Sequence, residues 1–260
     1  MSETVAISTS RRPSKKVPAL YETDTARYAG PHHWQTQWWA RVVRRLWRHR
    51  AYTRWVEQAC SHIDIKGLEH LQDFDGPCIF IANHQSHLDT LVTHIALPEA
   101  IRSRIYYGAA QDRWFVKGKR KLVLKPWYQS LALGTFPILR GGGRDALSYA
   151  HRLLQKRQHV FMFPECTRAT SEALGDFKHG ATLLALQNGV AVVPIYLSGL
   201  RELQPKGSRA VKRGGAGVEF LQPVRFSEGT PVEVATALLH DRLSQVHRRH
   251  ATPVGLAAAA

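Results

Sequence analysis

The chain has 260 residues, enough for one substantial core with extensions and tight for two full domains at roughly 100–200 residues each. Its 44% hydrophobic and 22% charged content is ordinary for a globular protein, but 36 Lys and Arg against 20 Asp and Glu leave a formal charge of +16 and a surface that seeks anions. Three widely spaced cysteines, Cys60, Cys78 and Cys166, fit neither a disulfide framework nor a zinc ribbon and point to a reducing compartment.

Residues 1–30 are rich in Ser, Thr, Pro and charge without periodicity, which predicts a mobile basic tail. The charge is concentrated at the front, where residues 1–60 carry eleven Lys or Arg and four Asp or Glu. Residues 31–60 read as an amphipathic helical region for a membrane interface. Between Trp34 and Trp55 a helix would place Trp34, Trp38, Val42 and Leu46 on one face, and Gln37, Arg41, Arg44 and Arg48 on another. That arrangement suits apolar side chains turned to lipid and arginines turned to anionic headgroups. A helix packed on the core is the alternative. No apolar run approaches the ~18–20 residues of a membrane span, and the amino terminus lacks the apolar stretch of a secretory signal. The expected membrane contact is therefore peripheral or monotopic, at the cytoplasmic face.

From residue 61 to about 250 the pattern becomes α/β. Apolar, β-branched runs at Ile63–Ile65, Cys78–Ala82, Val160–Phe163, Ala191–Leu197 and Gly217–Phe220 predict strands. Helices are predicted around Leu88–Ala96, Asp145–Gln155, Ala181–Gln187 and Val232–His247, and residues 251–260 read as a frayed tail. The expected fold is a mixed, largely parallel sheet flanked by helices, preceded by the amphipathic helical extension.

The segment after the Cys78–Ala82 strand, Asn83-His84-Gln85-Ser86-His87-Leu88-Asp89, is the most informative. Open α/β sheets place ligands at the carboxyl ends of strands, and histidine's near-neutral pKa suits a general base. A nearby carboxylate would fix its tautomer and stabilise the imidazolium, with a substrate hydroxyl replacing the serine of a hydrolase. Five residues of regular helix turn through about 500°, so His84 and Asp89 can meet only if His84 sits on the turn before the helix. Two other readings stay open at this point. Ser86 and Asp89 also fit an N-terminal capping box, and His84, His87 and Asp89 could ligate a metal if further ligands existed.

A second polar segment, Phe163-Pro164-Glu165-Cys166-Thr167-Arg168, also follows a strand. Arg168 offers a planar fork for phosphate, and Glu165 could accept hydrogen bonds from a glycerol hydroxyl or hold an arginine; a surface ion pair is the plainer reading. Between the two lies Gly134-Thr135-Phe136-Pro137-Ile138-Leu139-Arg140, followed by Gly141 to Gly143 without the Lys-Ser/Thr of a P-loop.

In order and rough spacing, these three segments and Val192-Val193-Pro194-Ile195 resemble the four motifs of the glycerophospholipid acyltransferases, typified by the 1-acylglycerol-3-phosphate O-acyltransferases. The resemblance covers roughly residues 61–225. It implies transfer of a fatty acyl group from acyl-CoA or acyl-carrier protein to the free hydroxyl of lysophosphatidic acid or a related lysolipid such as lyso-ornithine lipid. It assigns His84 as general base, Asp89 as its partner, and Arg140, Glu165 and Arg168 to the acceptor's glycerol phosphate. Phe177-Lys178-His179-Gly180 looks like the segment following the third motif, with Lys178 a phosphate contact. No metal or redox cofactor is implied. The departure is Cys166, where the family usually has glycine; a turn needing φ > 0 would strain it, and a cysteine there could also serve as an acyl-accepting nucleophile.

Two rival classes remain. A nucleic-acid-binding protein would explain the charge, but no helix-turn-helix, zinc-finger or aromatic RNA-binding signature is present, so no nucleic-acid partner is expected. A non-catalytic lipid-binding relative is hinted at only by Cys166.

Overall fold

The computed structural model describes residues 27–72, 76–139, 145–171 and 173–251. Of the predicted tails, 1–30 and 251–260, all but residues 27–30 and 251 lie outside the described residues; Tyr28 forms an antiparallel bridge with Val116, and Ala251 ends the last helix. Among the described residues, seven strands form one sheet in the order β1-β7-β6-β2-β5-β3-β4. They are β1 (Cys60–Lys66), β2 (Cys78–Ala82), β3 (Ile105–Ala110), β4 (Thr135–Ile138), β5 (His159–Met162), β6 (Ala191–Ser198) and β7 (Gly214–Phe220). Only the β6–β7 pairing is antiparallel. The mixed, mostly parallel sheet flanked by helices matches the expectation.

All five residues of β2 and all four of β5 are buried, as expected of strands covered on both faces. Cys78, Phe80 and Ala82 of β2 point to one face, where they pack with α2 (Asp89–Ala96) and the end of α1 (Trp38–Ala59). Ile79 and Ile81 point to the other, against α3 (Ser148–Gln155), α4 (Gly180–Asn188) and α5 (Val232–Ala251). This two-sided burial is the main cohesive term, on the order of 25 cal/mol per Å² of apolar surface removed from water. No helix among the described residues is long and apolar enough to cross a membrane.

Strands β3 and β4 escape the sequence reading. In Ile105-Tyr106-Tyr107-Gly108-Ala109-Ala110 the β-favouring residues give way to Gly-Ala-Ala, and Pro137 interrupts β4. Pro137 is tolerated because β4 is the last strand in the sheet order.

Helix α1 corrects the predicted faces. Its buried stripe runs through Ala40, Arg44, Arg48, Tyr52, Val56 and Ala59, so two of the arginines expected at lipid are inside the protein. Arg44 donates to the carbonyls of Gln35, Ser130 and Leu131, and Arg48 to that of Leu133 at 2.6 Å. The last three carbonyls belong to a π-helix, Gln129–Leu133, whose end lacks the usual intrahelical donors. Arg44 also lies over the Tyr106 ring and Arg48 over Tyr107. Burial and the neighbouring Arg48 push the Arg44 pKa down to about 10. Gly134 ends the π-helix with φ 59°, and a Cβ there would lie 2.4 Å from Arg48 Nη2, so this motif residue must be glycine on both counts. Trp38, Val42 and Leu46 of the predicted apolar stripe are exposed, whereas Trp34 is half-buried in a 3-10 helix, His33–Thr36, that precedes α1.

Candidate active site

The site begins where β2 ends. Asn83 exchanges two hydrogen bonds with the Leu197 backbone, its Nδ2 donating at 2.9 Å and its Oδ1 accepting at 2.7 Å, which ties this strand end to β6. The chain then turns through His84–Leu88 before α2 starts at Asp89, so His84 lies on the turn, as the geometric condition demands. His84 Nδ1 sits 2.8 Å from Asp89 Oδ2. The same carboxylate, fully buried, accepts backbone N–H bonds from Gln85 at 2.6 Å and Ser86 at 2.9 Å. The Ser86 hydroxyl in turn accepts the Leu88 N–H at 3.2 Å. Asp89 therefore holds the turn and orients the ring at once, while the helix's own N-cap, Leu88, makes no side-chain cap hydrogen bond. A carboxylate can only accept, so Nδ1 carries the proton and Nε2 is left with its lone pair.

The ring is held from two further sides. It stacks on Phe163 with centroids 3.8 Å apart and planes 14° apart. The His84 backbone N–H donates to Glu165 Oε1 at 2.8 Å, and Gly175 N–H donates to Glu165 Oε2 at 3.1 Å. Both Glu165 oxygens are therefore engaged by backbone, and burial raises its pKa while those two N–H bonds oppose the rise. Gly175 is required for this approach, since a Cβ would lie 2.6 Å from Glu165 Oε2.

His84 opens onto a cavity of about 410 Å³, within the usual range for small-molecule sites. Its walls carry both kinds of side chain: polar and cationic His84, His87, Arg113, Arg168 and Lys206, and apolar or aromatic Trp47, Trp55, Leu91, Leu124, Tyr128 and Ile138. Arg168 is only 7% exposed, and its Nη1 has no hydrogen-bond partner among the described residues. Burial and the neighbouring Arg113 lower its pKa, so an anion in the cavity would meet a guanidinium that gains by pairing. Lys206 Nζ donates to the Thr167 hydroxyl at 3.1 Å and the Arg168 carbonyl at 3.0 Å. Burial, with Arg168 and Arg113 nearby, holds the His87 pKa down to about 4, so this ring is neutral at pH 7.

Of the residues singled out in the sequence, the structure brings together His84, Asp89, Glu165 and Arg168. Glu165 does not line the cavity, and neither does Lys178, whose side chain is exposed and whose backbone N–H donates to the Pro164 carbonyl at 2.9 Å. Arg140 and Gly141 to Gly143 lie outside the described residues. Arg113, Lys206 and the aromatic walls were missed. Arg113 follows a strand end, the signal used for His84, but β3 itself was not recognised. Cys166 lines the cavity with φ 57°, the left-handed backbone that favours glycine. Among the described residues no group of three or more His, Cys, Asp or Glu is arranged to hold a metal ion.

Comparison with known proteins places these features in context. The acyltransferase family model matches residues 62–198, from β1 to the end of β6. The chain is 36% identical over 155 residues to 1-acyl-sn-glycerol-3-phosphate acyltransferase BAT2, chloroplastic, of Brassica napus, covering 58% of this chain and 42% of that one. It is 31% identical over 181 residues to human 1-acyl-sn-glycerol-3-phosphate acyltransferase alpha, covering 66% and 58% respectively. The matches thus span only about half the length of these relatives. The crystal structure of the 1-acyl-sn-glycerophosphate (LPA) acyltransferase PlsC from Thermotoga maritima superposes with a TM-score of 0.61 at 22% identity, over 85% of this chain and 81% of that one, which establishes a common fold.

Proposed function

Because the chain belongs to the acyltransferase family, we propose that it transfers a fatty acyl group from acyl-CoA or acyl-carrier protein to the free hydroxyl of 1-acylglycerol-3-phosphate. The observation that carries this reading is the His84–Asp89 pair opening onto one cavity whose walls carry both cationic and apolar side chains. In this mechanism His84 Nε2 takes the proton of the acceptor hydroxyl as its oxygen attacks the thioester carbonyl. The tetrahedral intermediate collapses with cleavage of the C–S bond, and the imidazolium returns the proton to the departing thiolate. Asp89 fixes the tautomer and offsets the imidazolium charge.

Arg168 holds the acceptor's phosphate, joined by Arg113 and Lys206, and the apolar side chains of the cavity take acyl chain at about 0.8 kcal/mol per buried CH₂. Glu165 positions His84 through its backbone instead of touching the acceptor. Arg140 is a further phosphate contact by family likeness, whereas Lys178, which does not line the cavity, is left out of the site. The reaction draws on no resident metal or cofactor, and Cys166 forms no acyl-enzyme, since the hydroxyl has a direct route. The enzyme works from the cytoplasmic face of a membrane as a peripheral protein.

The test is thiol release by purified protein across a matrix of acyl-CoA and acyl-carrier-protein donors with lysophosphatidic acid, lyso-ornithine lipid and other lysolipid acceptors. Release that depends on a lysophosphatidic acid acceptor is expected. Donor consumption without acceptor dependence, or none with any pair, would refute the proposal.

A further inference from the structure

Beyond α1, the described surface carries a second group of large apolar side chains, and it lies at the mouth of the same cavity. Leu122, Val123 and Trp127 are 50%, 44% and 44% exposed in a short segment that also presents the exposed cations Lys119, Arg120 and Lys121. On α1, Trp38, Leu46 and Trp47 are 76%, 68% and 47% exposed. The two groups meet: Trp47 packs edge-on to Tyr128 at 5.8 Å between centroids, and Tyr128 packs on Trp127 at 5.9 Å. Trp47, Trp55, Val123 and Tyr128 all line the cavity.

The two segments are also fixed relative to each other. Arg44 and Arg48 of α1 hold the carbonyls of the π-helix, and Gln129 at the start of that helix donates its side-chain amide to the Val123 carbonyl. The exposed apolar groups are thus held in place on both sides, with cations beside them. Water solvates such a surface poorly, whereas an anionic bilayer satisfies both halves: apolar rings enter the interface and lysines and arginines meet headgroups.

We propose that residues 119–127 are a second bilayer-docking segment, which with α1 forms a two-sided lip that seats the mouth of the cavity on anionic lipid, so that acyl chains enter sideways from the membrane. The docking surface deepens the acyltransferase reading, on which it rests only in taking the cavity as an acyl site.

The experiment uses the full chain and sedimentation with vesicles of phosphatidylcholine alone or mixed with phosphatidylglycerol. The triple variant Lys119→Gln/Arg120→Gln/Lys121→Gln should lose most of its preference for the anionic vesicles, about a hundredfold in partition at low salt and less at high salt. The pair Leu122→Ser/Trp127→Ser, neither of which lines the cavity, should bind both vesicle types several-fold more weakly. Both variants should keep the wild-type melting temperature and wild-type turnover of short-chain, water-soluble substrates. Unchanged vesicle binding by either folded variant overturns the proposal, as does a loss of binding that comes with a lower melting temperature. Vesicle binding as expected in a protein that releases no thiol would sink the acyltransferase reading and leave the docking surface standing.

Discussion

Buried charges at two places in this protein are satisfied over very different distances along the chain. Asp89 takes its three donors from residues three to five positions away, Ser86, Gln85 and His84. Arg44 and Arg48 reach carbonyls 85 to 87 positions away, in the π-helix. The first arrangement is a local motif that orients a reactive ring. The second is a tertiary clasp that orients a whole helix and, with it, the aromatic side of the cavity. Conservative changes at the two places should therefore fail differently, one in chemistry and the other in stability.

The largest effect is expected at the local motif. In Asp89→Asn one atom must still meet His84 Nδ1, Gln85 N–H and Ser86 N–H, as Oδ2 does: an amide oxygen there keeps the bonds without the charge that offsets the imidazolium, and an amide nitrogen there opposes the backbone donors and the catalytic tautomer. Turnover should fall by about 10³ to 10⁴, with a stability loss of only about 1 kcal/mol. Normal turnover with the stability loss alone would reduce Asp89 to an anchor of the turn. At the clasp, Arg48→Met keeps much of the volume but strands the Leu133 carbonyl and the ring of Tyr107. Denaturant unfolding should register a loss on the order of 3 kcal/mol, with the residual fold still turning over. An Arg48→Met protein as stable as wild type would show that the guanidinium is not needed inside.

This contrast also explains what could be read in the sequence. The His84 turn was legible because a strand, a turn and a helix start are encoded within a dozen residues, and their geometry follows from that spacing alone. The sheet's central strands were legible from their continuous apolar runs. Arg44 and Arg48 were misread as lipid-facing because their partners lie in a π-helix that no local pattern announced. Glu165 was read as a ligand for the acceptor, yet its carboxylate is taken up by two N–H groups, His84 and Gly175, 81 and 10 positions away. In β3 the run Ile105-Tyr106-Tyr107 is cut short by Gly-Ala-Ala, and in β4 Pro137 interrupts the run, so neither stood out, and with them went Arg113 and the part of the cavity wall these strands supply.

Acid should expose a third, intermediate effect. Burial, aided by nearby arginines, holds the pKa of His87 and of His159 down to about 4, and that of His94 well below the ordinary value near 6.5. Between pH 6.5 and 4 the unfolded chain binds protons that the folded chain refuses, so stability falls as pH drops through this window. Denaturation midpoints at pH 7, 5.5 and 4.5 should decline in that order, and His159→Gln should flatten the decline. A slope unaltered by that substitution would assign acid sensitivity to other groups.

The smallest expected effect is a gain. Cys166 at φ 57° occupies backbone that costs a side chain about 1–2 kcal/mol, so Cys166→Gly should be up to about 1 kcal/mol more stable once the freer unfolded glycine is counted. Its turnover should stay substantial. Loss of turnover in both Cys166→Gly and Cys166→Ser, with acyl thioester trapped on the wild-type thiol, would instead make Cys166 the nucleophile.

The most direct measurement is acceptor-dependent thiol release by purified His84→Ala, alongside its unfolding midpoint. Loss of the general base should drop turnover by at least about 10³ while the midpoint stays close to wild type, because Asp89 keeps its two backbone donors. Near-wild-type thiol release from a folded His84→Ala protein would contradict the mechanism at its centre.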